Sequence, residues 1–399
     1  MAIIRGMSDF GKGRMMGEAD NAKRFNSATD AEIMAAEVAD SYFHRAMEVL
    51  RARGLEDTPV HAEVAYKTSD PDAWFVVAGM DEVATLLDSL EGVEVRAVPE
   101  GEICRPHEPI LTLSGPYGAF AEHETAILGF LCQASGVATG AARCRLAAGE
   151  KPVVSFGARR MHPSAAPMIE RAAYLGGCDL VAVDLATQRL GIPSTGTLPH
   201  ALVLVVGSTA EAAKAFDETM PPGVPRTILI DTFDDEKFGA LLAANAIPHS
   251  IEAIRMDTPG NRRGDFRDLM REVRWELDRH GFSHVKIFAS GGIDVDYILH
   301  LNPVCDAYGV GGAIAAAPMI DYSLDIVEVN GEDRSKRGKR GGRKRLVELS
   351  DGSRKVLPAD APVSEGSRDI LVPLDASAKD ISELRGRVLE QLATGEYAL

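Results

Sequence analysis

The segment Val285–Gly312, VKIFASGGIDVDYILHLNPVCDAYGVGG, decides the fold class of this 399-residue chain. It contains two short apolar runs, Val285–Ala289 and Ala307–Val310, and each is followed by a glycine pair, Gly291-Gly292 and Gly311-Gly312. Apolar runs of this length bounded by turn residues are typical of buried parallel strands. The segment therefore predicts an α/β fold in which loops with little side-chain bulk follow neighbouring strands.

Five further strand-like runs precede this segment, with helical patterns between most of them. They are Val153–Phe156, Leu180–Val183, Ala201–Val205, Thr227–Ile230 and Ala253–Met256. Seven strands at this spacing predict an irregular, TIM-like α/β barrel over residues 131–325. In such a barrel the functional residues lie where the strands end and the next loops begin.

The flanking regions show different patterns. Residues 1–130 predict a small α+β unit, whose first helix (Ala31–Arg53) follows a capping-box sequence at Thr29 and Glu32. Residues 326–399 predict a small β-rich tail module with a terminal helix at Ile381–Leu392. The tail also holds Arg334–Arg345, which has eight basic residues and no acidic one.

Composition excludes several classes of protein. Hydrophobic residues make up 45% and charged residues 26%, as in ordinary globular chains, and a net charge of −16 argues against a general nucleic-acid or membrane-surface binder. The apolar runs are shorter than the roughly 18–20 residues of a membrane span, and we find no signal peptide. Five scattered cysteines without a CxxC pair predict reduced thiols in the cytoplasm, without disulfides or structural zinc.

Charged residues follow the predicted central strands. Asp231 follows Thr227–Ile230, and Arg255 and Asp257 lie at the end of the next strand. Carboxylates at this edge suit Mg²⁺ or vicinal ribose hydroxyls, whereas the alternative is helix N-capping. Arg159 and Arg160, after the first strand, offer paired donors for a carboxylate or phosphate, and adjacent side chains normally diverge, so we expect one of them in the site.

The glycine pairs predict phosphate binding. Ser290-Gly291-Gly292 and Gly311-Gly312 expose backbone N–H groups without a nearby Cβ, and barrels often bind phosphate after their last two strands. A single such pair is more often a plain turn. Two glycine pairs at the ends of successive strands favour a phosphate site.

Two further residues have competing interpretations. His200, in Gly196-Thr197-Leu198-Pro199-His200, is either a structural residue or a nucleophilic imidazole that accepts a phosphoryl group. Tyr42 has the spacing of a core residue on the first helix.

Taken in order, these motifs resemble the nicotinate phosphoribosyltransferase family and, more distantly, the quinolinate phosphoribosyltransferases. The resemblance runs from about Asp30 to about Lys344. It includes Asp40–Phe43, Glu124–Arg143, Phe156–Arg160, Gly196–His200, Leu229–Asp234, Ala289–Asp294, Gly309–Gly312 and the basic stretch Lys336–Lys344.

The resemblance implies an N-terminal α/β sandwich domain packed on an irregular barrel, in homodimers or higher homo-oligomers with sites at subunit interfaces. It implies Mg²⁺-dependent transfer of a phosphoribosyl group from phosphoribosyl pyrophosphate to nicotinate in NAD salvage, giving nicotinate mononucleotide, with ATP hydrolysis coupled through His200. Tyr42 would stack on the pyridine ring, and Arg160, with Arg159 or Thr197, would bind its carboxylate. Asp231, Asp257 and Arg255 would act on ribose and pyrophosphate–Mg²⁺, and the two glycine loops on the 5′-phosphate.

Two departures from the family pattern affect these expectations. The tail has no cysteine after Cys305, so we expect no zinc knuckle. Ala201 stands where many members have an acidic residue after the histidine, which makes ATP coupling less secure than the transfer itself.

Alternatives remain open at this stage. Nicotinamide has no carboxylate for Arg160, and quinolinate has two, which would need a richer basic cluster. An unrelated phosphosugar barrel enzyme would need a lysine or general base at a strand end, but Lys286 lies at a strand start. A nucleic-acid patch at Arg334–Arg345 lacks interleaved aromatic residues, and its simplest interpretation is a solvated loop.

Overall fold

Two six-stranded sheets, one antiparallel and one parallel, organise the computed structural model, which describes residues 25–399 except 194, 196 and 378. The strands are β1 (Pro59–Tyr66), β2 (Phe75–Val76), β3 (Glu94–Ala97), β4 (Ile103–Cys104), β5 (Pro109–Pro116), β6 (Val153–Ser155), β7 (Leu180–Val181), β8 (Thr227–Leu229), β9 (Ala253–Met256), β10 (Lys286–Ala289), β11 (Ala307–Val310), β12 (Tyr322–Val329), β13 (Glu332–Asp333), β14 (Lys344–Glu348), β15 (Arg354–Pro358), β16 (Arg368–Asp369) and β17 (Val372–Pro373).

Helices connect most of the parallel strands and cover the sheets. They are α1 (Asp30–Met34), α2 (Ser41–Arg53), α3 (Met80–Leu87), α4 (Tyr117–Phe120), α5 (Glu124–Ala148), α6 (Ala166–Leu175), α7 (Asp184–Leu190), α8 (His200–Val206), α9 (Thr209–Thr219), α10 (Glu236–Ala246), α11 (Phe266–Arg279), α12 (Val295–Leu301), α13 (Gly312–Ala315) and α14 (Ile381–Thr394). Short 3₁₀ turns occur at Ala121–His123, Ala158–Arg160 and Pro163–Ala165.

The parallel sheet has the strand order β7-β6-β11-β10-β9-β8 and forms a curled half-barrel. An α/β fold is therefore confirmed, but the expectation of about seven strands is wrong in one place. Ala201–Val205 is not a strand: it lies in α8, which Gly207 ends in a left-handed conformation. Beside the edge strand β8, Thr197 forms one isolated parallel bridge with Thr227 where a further strand would stand.

The local reason for the error is that a short β-branched run fits a strand or a helix equally well. In α8 the run is amphipathic at helical spacing, because Val203 is fully buried and Val205 is 86% exposed.

The first predicted helix is also divided. The capping box at Thr29 is present, with the Glu32 N–H donating to Thr29 Oγ1 and the Thr29 N–H donating to the Glu32 carboxylate. The helix nevertheless stops at Met34, because Ala36 adopts a left-handed φ of 56° and the Asp40 N–H donates to Thr125 Oγ1. Asp40 then precedes α2, so Tyr42 lies in its first turn.

Helix α5 joins the two halves of the molecule. Ile127 and Leu131 pack in the core of the antiparallel sheet, whereas Val137 and Ala141 pack in the core of the half-barrel. The stretch Tyr117–Ala148 is apolar and long enough to cross a membrane by composition, but 61% of its most apolar window is buried inside the protein, as in the core helix of a soluble domain.

The residues after 325 are distributed over both halves. Strands β12 and β17 belong to the antiparallel sheet, whose order is β13-β12-β1-β5-β3-β17, and β14, β15 and β16 form a separate three-stranded sheet. Helix α14 packs on the half-barrel through Leu384, Val388 and Leu392. The domain limits at 130 and 325 stay predictions; they fall inside α5 and β12.

The basic segment Arg334–Arg345 is not simply a solvated loop. Lys344 and Arg345 begin β14, and Lys344 bonds the buried Glu63. Arg343 binds Glu328 and Arg345 binds Asp369. Part of the segment is therefore built into the fold by paired carboxylates.

Candidate functional site

A cavity of about 970 Å³ lies at the carboxyl ends of the parallel strands. Residues from five strand ends and from the segment before α8 line it. They are Phe156, Ala158, Arg159, Arg160, Ala182, Val183, Thr195, Thr197, Leu198, Pro199, Arg255, Asp257, Ser290, Gly291, Gly292, Ile293, Asp294, Gly309, Gly311, Gly312 and Ala313. The sequence-predicted residues after β6, β9, β10 and β11 thus meet in one place. Gly196, the first residue of the Gly196–His200 motif, lies outside the described residues.

Two carboxylates and an imidazole meet beside this cavity. His200 Nε2 lies 3.7 Å from Asp257 Oδ2 and 3.9 Å from Asp231 Oδ1, and its Nδ1 lies 3.0 Å from Thr232 Oγ1. Asp231 is set behind the cavity wall, where its Oδ2 accepts hydrogen bonds from the Asp257 N–H (2.6 Å) and the Thr258 hydroxyl (3.1 Å). The predicted acidic pair and His200 therefore form one cluster.

The environment of Asp231 is unusual for a carboxylate. Its Oδ1 is buried and has no hydrogen-bond partner among the described residues. Burial raises the pKa of the Asp231 carboxyl, while the Asp257 N–H, His200 and the Thr258 hydroxyl act in the opposite direction. A buried oxygen without a donor, facing an imidazole, is available to interact with developing positive charge.

Arg255 connects the acids to the cavity wall. Its guanidinium lies 3.4 Å from Asp257 Oδ2 and 3.3 Å from Thr197 Oγ1, and it stacks over the Phe156 ring at 5.4 Å. Burial lowers the pKa of Arg255, opposed mainly by Asp257. The side chain is therefore held in a fixed orientation at the centre of the site.

The two glycine loops lie on neighbouring strand ends, after β10 and β11. Gly291 has φ +85°, and a Cβ there would lie 2.6 Å from Asp257 Oδ1. A Cβ there would displace the Asp257 carboxylate, and the positive φ adds backbone strain for any residue other than glycine. Gly292 has φ +71°, but a Cβ there would meet open space.

Gly291→Ala is expected to destabilise the protein by about 2–4 kcal/mol, since backbone strain adds to the contact with Asp257. Gly292→Ala is the matched control, because its Cβ would meet open space and only the backbone strain of the positive φ remains. It should lower the free energy of unfolding by about 1–2 kcal/mol. Urea unfolding of both variants measures the difference. Equal stabilities would contradict the close approach.

The arginine pair after β6 differs from expectation in one respect. Arg159 and Arg160 occupy a single 3₁₀ turn, and both line the cavity rather than one alone. Both side chains are exposed, and Thr197 lies across the same cavity. Two guanidinium groups are thus available to an anionic ligand.

Tyr42 does not line this cavity. It lies on α2, is 57% exposed and contacts Phe43 with ring centroids 4.3 Å apart. The core interpretation of Tyr42 is wrong because this face of α2 points outward. Its predicted role in a neighbouring subunit stays a prediction.

Several residues of the site had no predicted role. Phe156 stacks on Arg255, and Arg263 donates to the Gly291 carbonyl at 2.9 Å. Glu236 accepts a hydrogen bond from the Thr258 hydroxyl at 2.8 Å. Phe156 directly follows β6 and belongs to the Phe156–Arg160 motif, whereas Arg263 lies in an irregular stretch with no sequence signal.

Among the described residues, no group of three or more His, Cys, Asp or Glu side chains has the arrangement of a protein-only metal site. Two carboxylates beside a cavity instead suit a cation that arrives with its own phosphate ligands, since Mg²⁺ usually keeps substrate phosphates and water in its coordination.

Several known proteins resemble this chain in sequence. The family model for the quinolinate phosphoribosyl transferase C-terminal domain matches residues 137–325, and that for the N-terminal domain matches residues 40–135. A nicotinate phosphoribosyltransferase of Mycobacterium tuberculosis is 31% identical over 323 residues, covering 75% of this chain and 70% of that protein. One from Bacillus subtilis is 32% identical over 250 residues, covering 59% of this chain and 49% of that protein.

Solved structures show the same fold. A nicotinate-nucleotide pyrophosphorylase from Pyrococcus furiosus superposes with a TM-score of 0.90 at 44% identity, covering 93% of this chain and 98% of that one. Human nicotinic acid phosphoribosyltransferase superposes with a TM-score of 0.70 over 89% of this chain, and its 21% identity supports the fold alone.

Proposed function

Because the chain belongs to the nicotinate phosphoribosyltransferase family, we propose that it transfers a phosphoribosyl group from phosphoribosyl pyrophosphate to nicotinate in NAD salvage. The observation that carries this proposal is that Asp257, Arg255 and two glycine loops line one cavity, with Asp231 directly behind Asp257. The products are nicotinate mononucleotide and pyrophosphate.

The site suits a reaction that develops two opposite charges. The pyridine nitrogen of nicotinate forms a bond to ribose C1 as the bond from C1 to the pyrophosphate oxygen breaks, and the electron pair of that bond leaves with pyrophosphate. The sugar gains positive charge, which Asp231 and Asp257 stabilise, and the leaving group gains negative charge near Arg255. No protein nucleophile is needed for this displacement.

The glycine loops provide the anchor for the sugar phosphate. Backbone N–H groups at Gly291–Gly292 and at Gly311–Gly312 approach a 5′-phosphate without steric hindrance. We propose that Asp257, which lines the cavity, would hold a Mg²⁺ ion bound to phosphoribosyl pyrophosphate, while Asp231 behind the wall accepts the hydrogen bond of the Asp257 N–H. The ion would neutralise charge on the leaving pyrophosphate.

The three candidate bases differ in how many carboxylates they offer to the cavity arginines. Arg159 and Arg160 line the cavity with Thr197, and one bidentate arginine satisfies the single carboxylate of nicotinate. Two cavity arginines also make quinolinate the second candidate, since it carries two carboxylates and the matching family models are named for it. Nicotinamide offers neither arginine a charged partner.

Purified protein with phosphoribosyl pyrophosphate and Mg²⁺ is expected to convert nicotinate, with much lower turnover of nicotinamide and quinolinate. Product formation with each base, together with CO₂ release from quinolinate, measures the preference.

Arg160→Met should raise the KM for nicotinate about tenfold to hundredfold, because a charge-assisted hydrogen bond is lost. Arg279→Met, at an exposed position on α11, serves as the control. Absence of nicotinate turnover by the unaltered protein would overturn the proposal.

We further propose that ATP hydrolysis is coupled through His200. The Thr232 hydroxyl forms a hydrogen bond with His200 Nδ1 at 3.0 Å. His200 Nε2 is therefore the nitrogen available for attack on the γ-phosphorus of ATP. The bond from the γ-phosphorus to the β,γ-bridging oxygen breaks, ADP leaves, and water later accepts the phosphoryl group.

Incubation with ATP labelled at the γ-phosphate is expected to label the unaltered protein with an acid-labile, base-stable phosphate, as expected for a phosphoramidate. His200→Asn should abolish the label and the stimulation by ATP, whereas His162→Asn, at an exposed position outside the cluster, should retain both. An unlabelled parent protein would refute ATP coupling and leave the transfer reaction untouched.

The exposed Tyr42 supports a last part of the proposal. An aromatic side chain that is 57% exposed on α2 suits contact with a second copy of the chain, where it would stack on the pyridine ring bound by the neighbouring cavity. We therefore propose a homodimer or higher homo-oligomer, and the free cysteines support a cytoplasmic location.

A further inference from the structure

Glu170 is a fully buried carboxyl group behind the wall of the cavity. It lies on α6, and its Oε2 accepts a hydrogen bond from the Ala182 N–H at 3.1 Å. Its Oε1 is buried without a hydrogen-bond partner, and no ion pair to Glu170 occurs among the described residues. A buried carboxyl group without a cation is costly, so its retention needs an explanation.

The neighbour of this carboxyl is the hydroxyl group of Ser155, the last residue of β6. Ser155 Oγ is likewise buried without a hydrogen-bond partner among the described residues, and this hydroxyl acts to lower the pKa of Glu170. Burial has the larger effect and raises the pKa of Glu170 to about 7. Either protonation state can bond this hydroxyl, because Ser155 both donates and accepts.

Ala182 lines the cavity, and Ser155 directly precedes a residue that lines it. Ala182 and its neighbour Val183 line the cavity after β7. Ser155 precedes Phe156, whose ring stacks on Arg255. A Cβ at Gly309 would lie 2.4 Å from that ring, so Phe156 has little room on its other side.

The helix that carries Glu170 is fixed through the residue that follows it. Arg171, the next residue, binds both Glu100 carboxylate oxygens at 2.9 and 2.8 Å, and its Nε lies 3.2 Å from Asp81. These partners belong to the other half of the molecule, beside and within α3. Glu170 is therefore presented to β6 and β7 from a helix that does not move freely.

We propose that Glu170 is a positioning residue that joins the ends of β6 and β7 and so holds Phe156, Arg255 and the Ala182–Val183 wall in place for substrate. It touches neither substrate nor reacting atoms. This inference rests on the proposed transfer reaction for its kinetic readout, whereas its structural readout does not.

Three proteins test it: the unaltered chain, Glu170→Gln and Glu170→Leu. Gln retains an acceptor for the Ala182 N–H and a donor for Ser155, so its kcat and both KM values should stay within about twofold of the parent. Leu has a similar volume but no polar group, and it should raise the KM for phosphoribosyl pyrophosphate about tenfold, a loss of about 1.4 kcal/mol. Amide hydrogen exchange at Ala182 should accelerate about tenfold or more in the Leu variant alone.

Thermal unfolding separates positioning from a merely structural role. The Leu variant loses a costly buried carboxyl group but also the acceptor of the Ala182 N–H. These effects oppose each other, so its global stability should stay close to that of the parent and its kinetic defect would not reflect a weaker fold. Parent-like KM values and parent-like Ala182 exchange in the Leu variant would overturn the inference, as would a Gln variant as impaired as the Leu variant. If the parent itself converts no base, the proposed function fails, while Ala182 exchange still decides whether Glu170 anchors the wall.

Discussion

Asp231→Asn is expected to lower kcat by about two to three orders of magnitude, with little change in unfolding free energy. Asparagine preserves the shape and can still accept the hydrogen bond from the Asp257 N–H through its carbonyl oxygen. It removes the negative charge at Oδ1, which in the parent is buried, has no hydrogen-bond partner and lies 3.9 Å from His200 Nε2. Charge stabilisation in a buried site is worth most because water screens it little.

Asp234→Asn is the matched control for this change. Asp234 lies three residues later in the same loop, is exposed, and makes no ion pair among the described residues. Its loss should change kcat less than about twofold, as for most surface substitutions. Steady-state kinetics with nicotinate and phosphoribosyl pyrophosphate compare the two variants. A kcat for Asp231→Asn within about threefold of the parent would remove the carboxylate from the mechanism.

The location of this cluster could be predicted from sequence because parallel strands share one chemical edge. Once Thr227–Ile230 and Ala253–Met256 are recognised as neighbouring parallel strands, Asp231 and Asp257 must emerge at the same end. The same reasoning places the two glycine loops beside them. The local sequence pattern therefore predicted which candidate residues meet wherever such a residue directly follows a strand.

Other features depended on tertiary packing. Ala201–Val205 has strand-like composition, and only its surroundings, with Val203 buried and Val205 exposed, make it a helix. Glu170 lies within a helical pattern, and its burial against Ser155 results from how α6 packs on the half-barrel. Such residues have no local signature, because what distinguishes them is the partner across the core.

The role of the basic segment Arg334–Arg345 also depends on tertiary packing, and it concerns the stability of the fold. By composition Lys344 is one of eight basic residues in the stretch Arg334–Arg345, yet its side chain is only 16% exposed. Its Nζ donates to Glu63 Oε2 at 2.8 Å, and its backbone N–H donates to Glu63 Oε1 at 2.9 Å. Burial raises the pKa of Glu63, while the contacts with Lys344 lower it. The pair therefore ties β14 to the centre of the antiparallel sheet.

Lys344→Met is expected to destabilise the protein by about 3–5 kcal/mol at pH 8, because it leaves a buried carboxylate without its cation. The pKa of Glu63 in the folded variant should rise further above its unfolded value, so stability falls as pH increases through that folded pKa, and the loss at pH 5 is smaller. Adding Glu63→Gln should restore much of the stability. Glutamine carries no charge, and its side-chain oxygen can still accept the hydrogen bond from the backbone N–H of residue 344. Arg368→Met, which breaks an exposed pair with Glu348, should cost less than about 1 kcal/mol. Urea unfolding at both pH values measures all four proteins, and a pH-independent loss for Lys344→Met would show that packing of the lysine stem, rather than its charge, holds β14 in place.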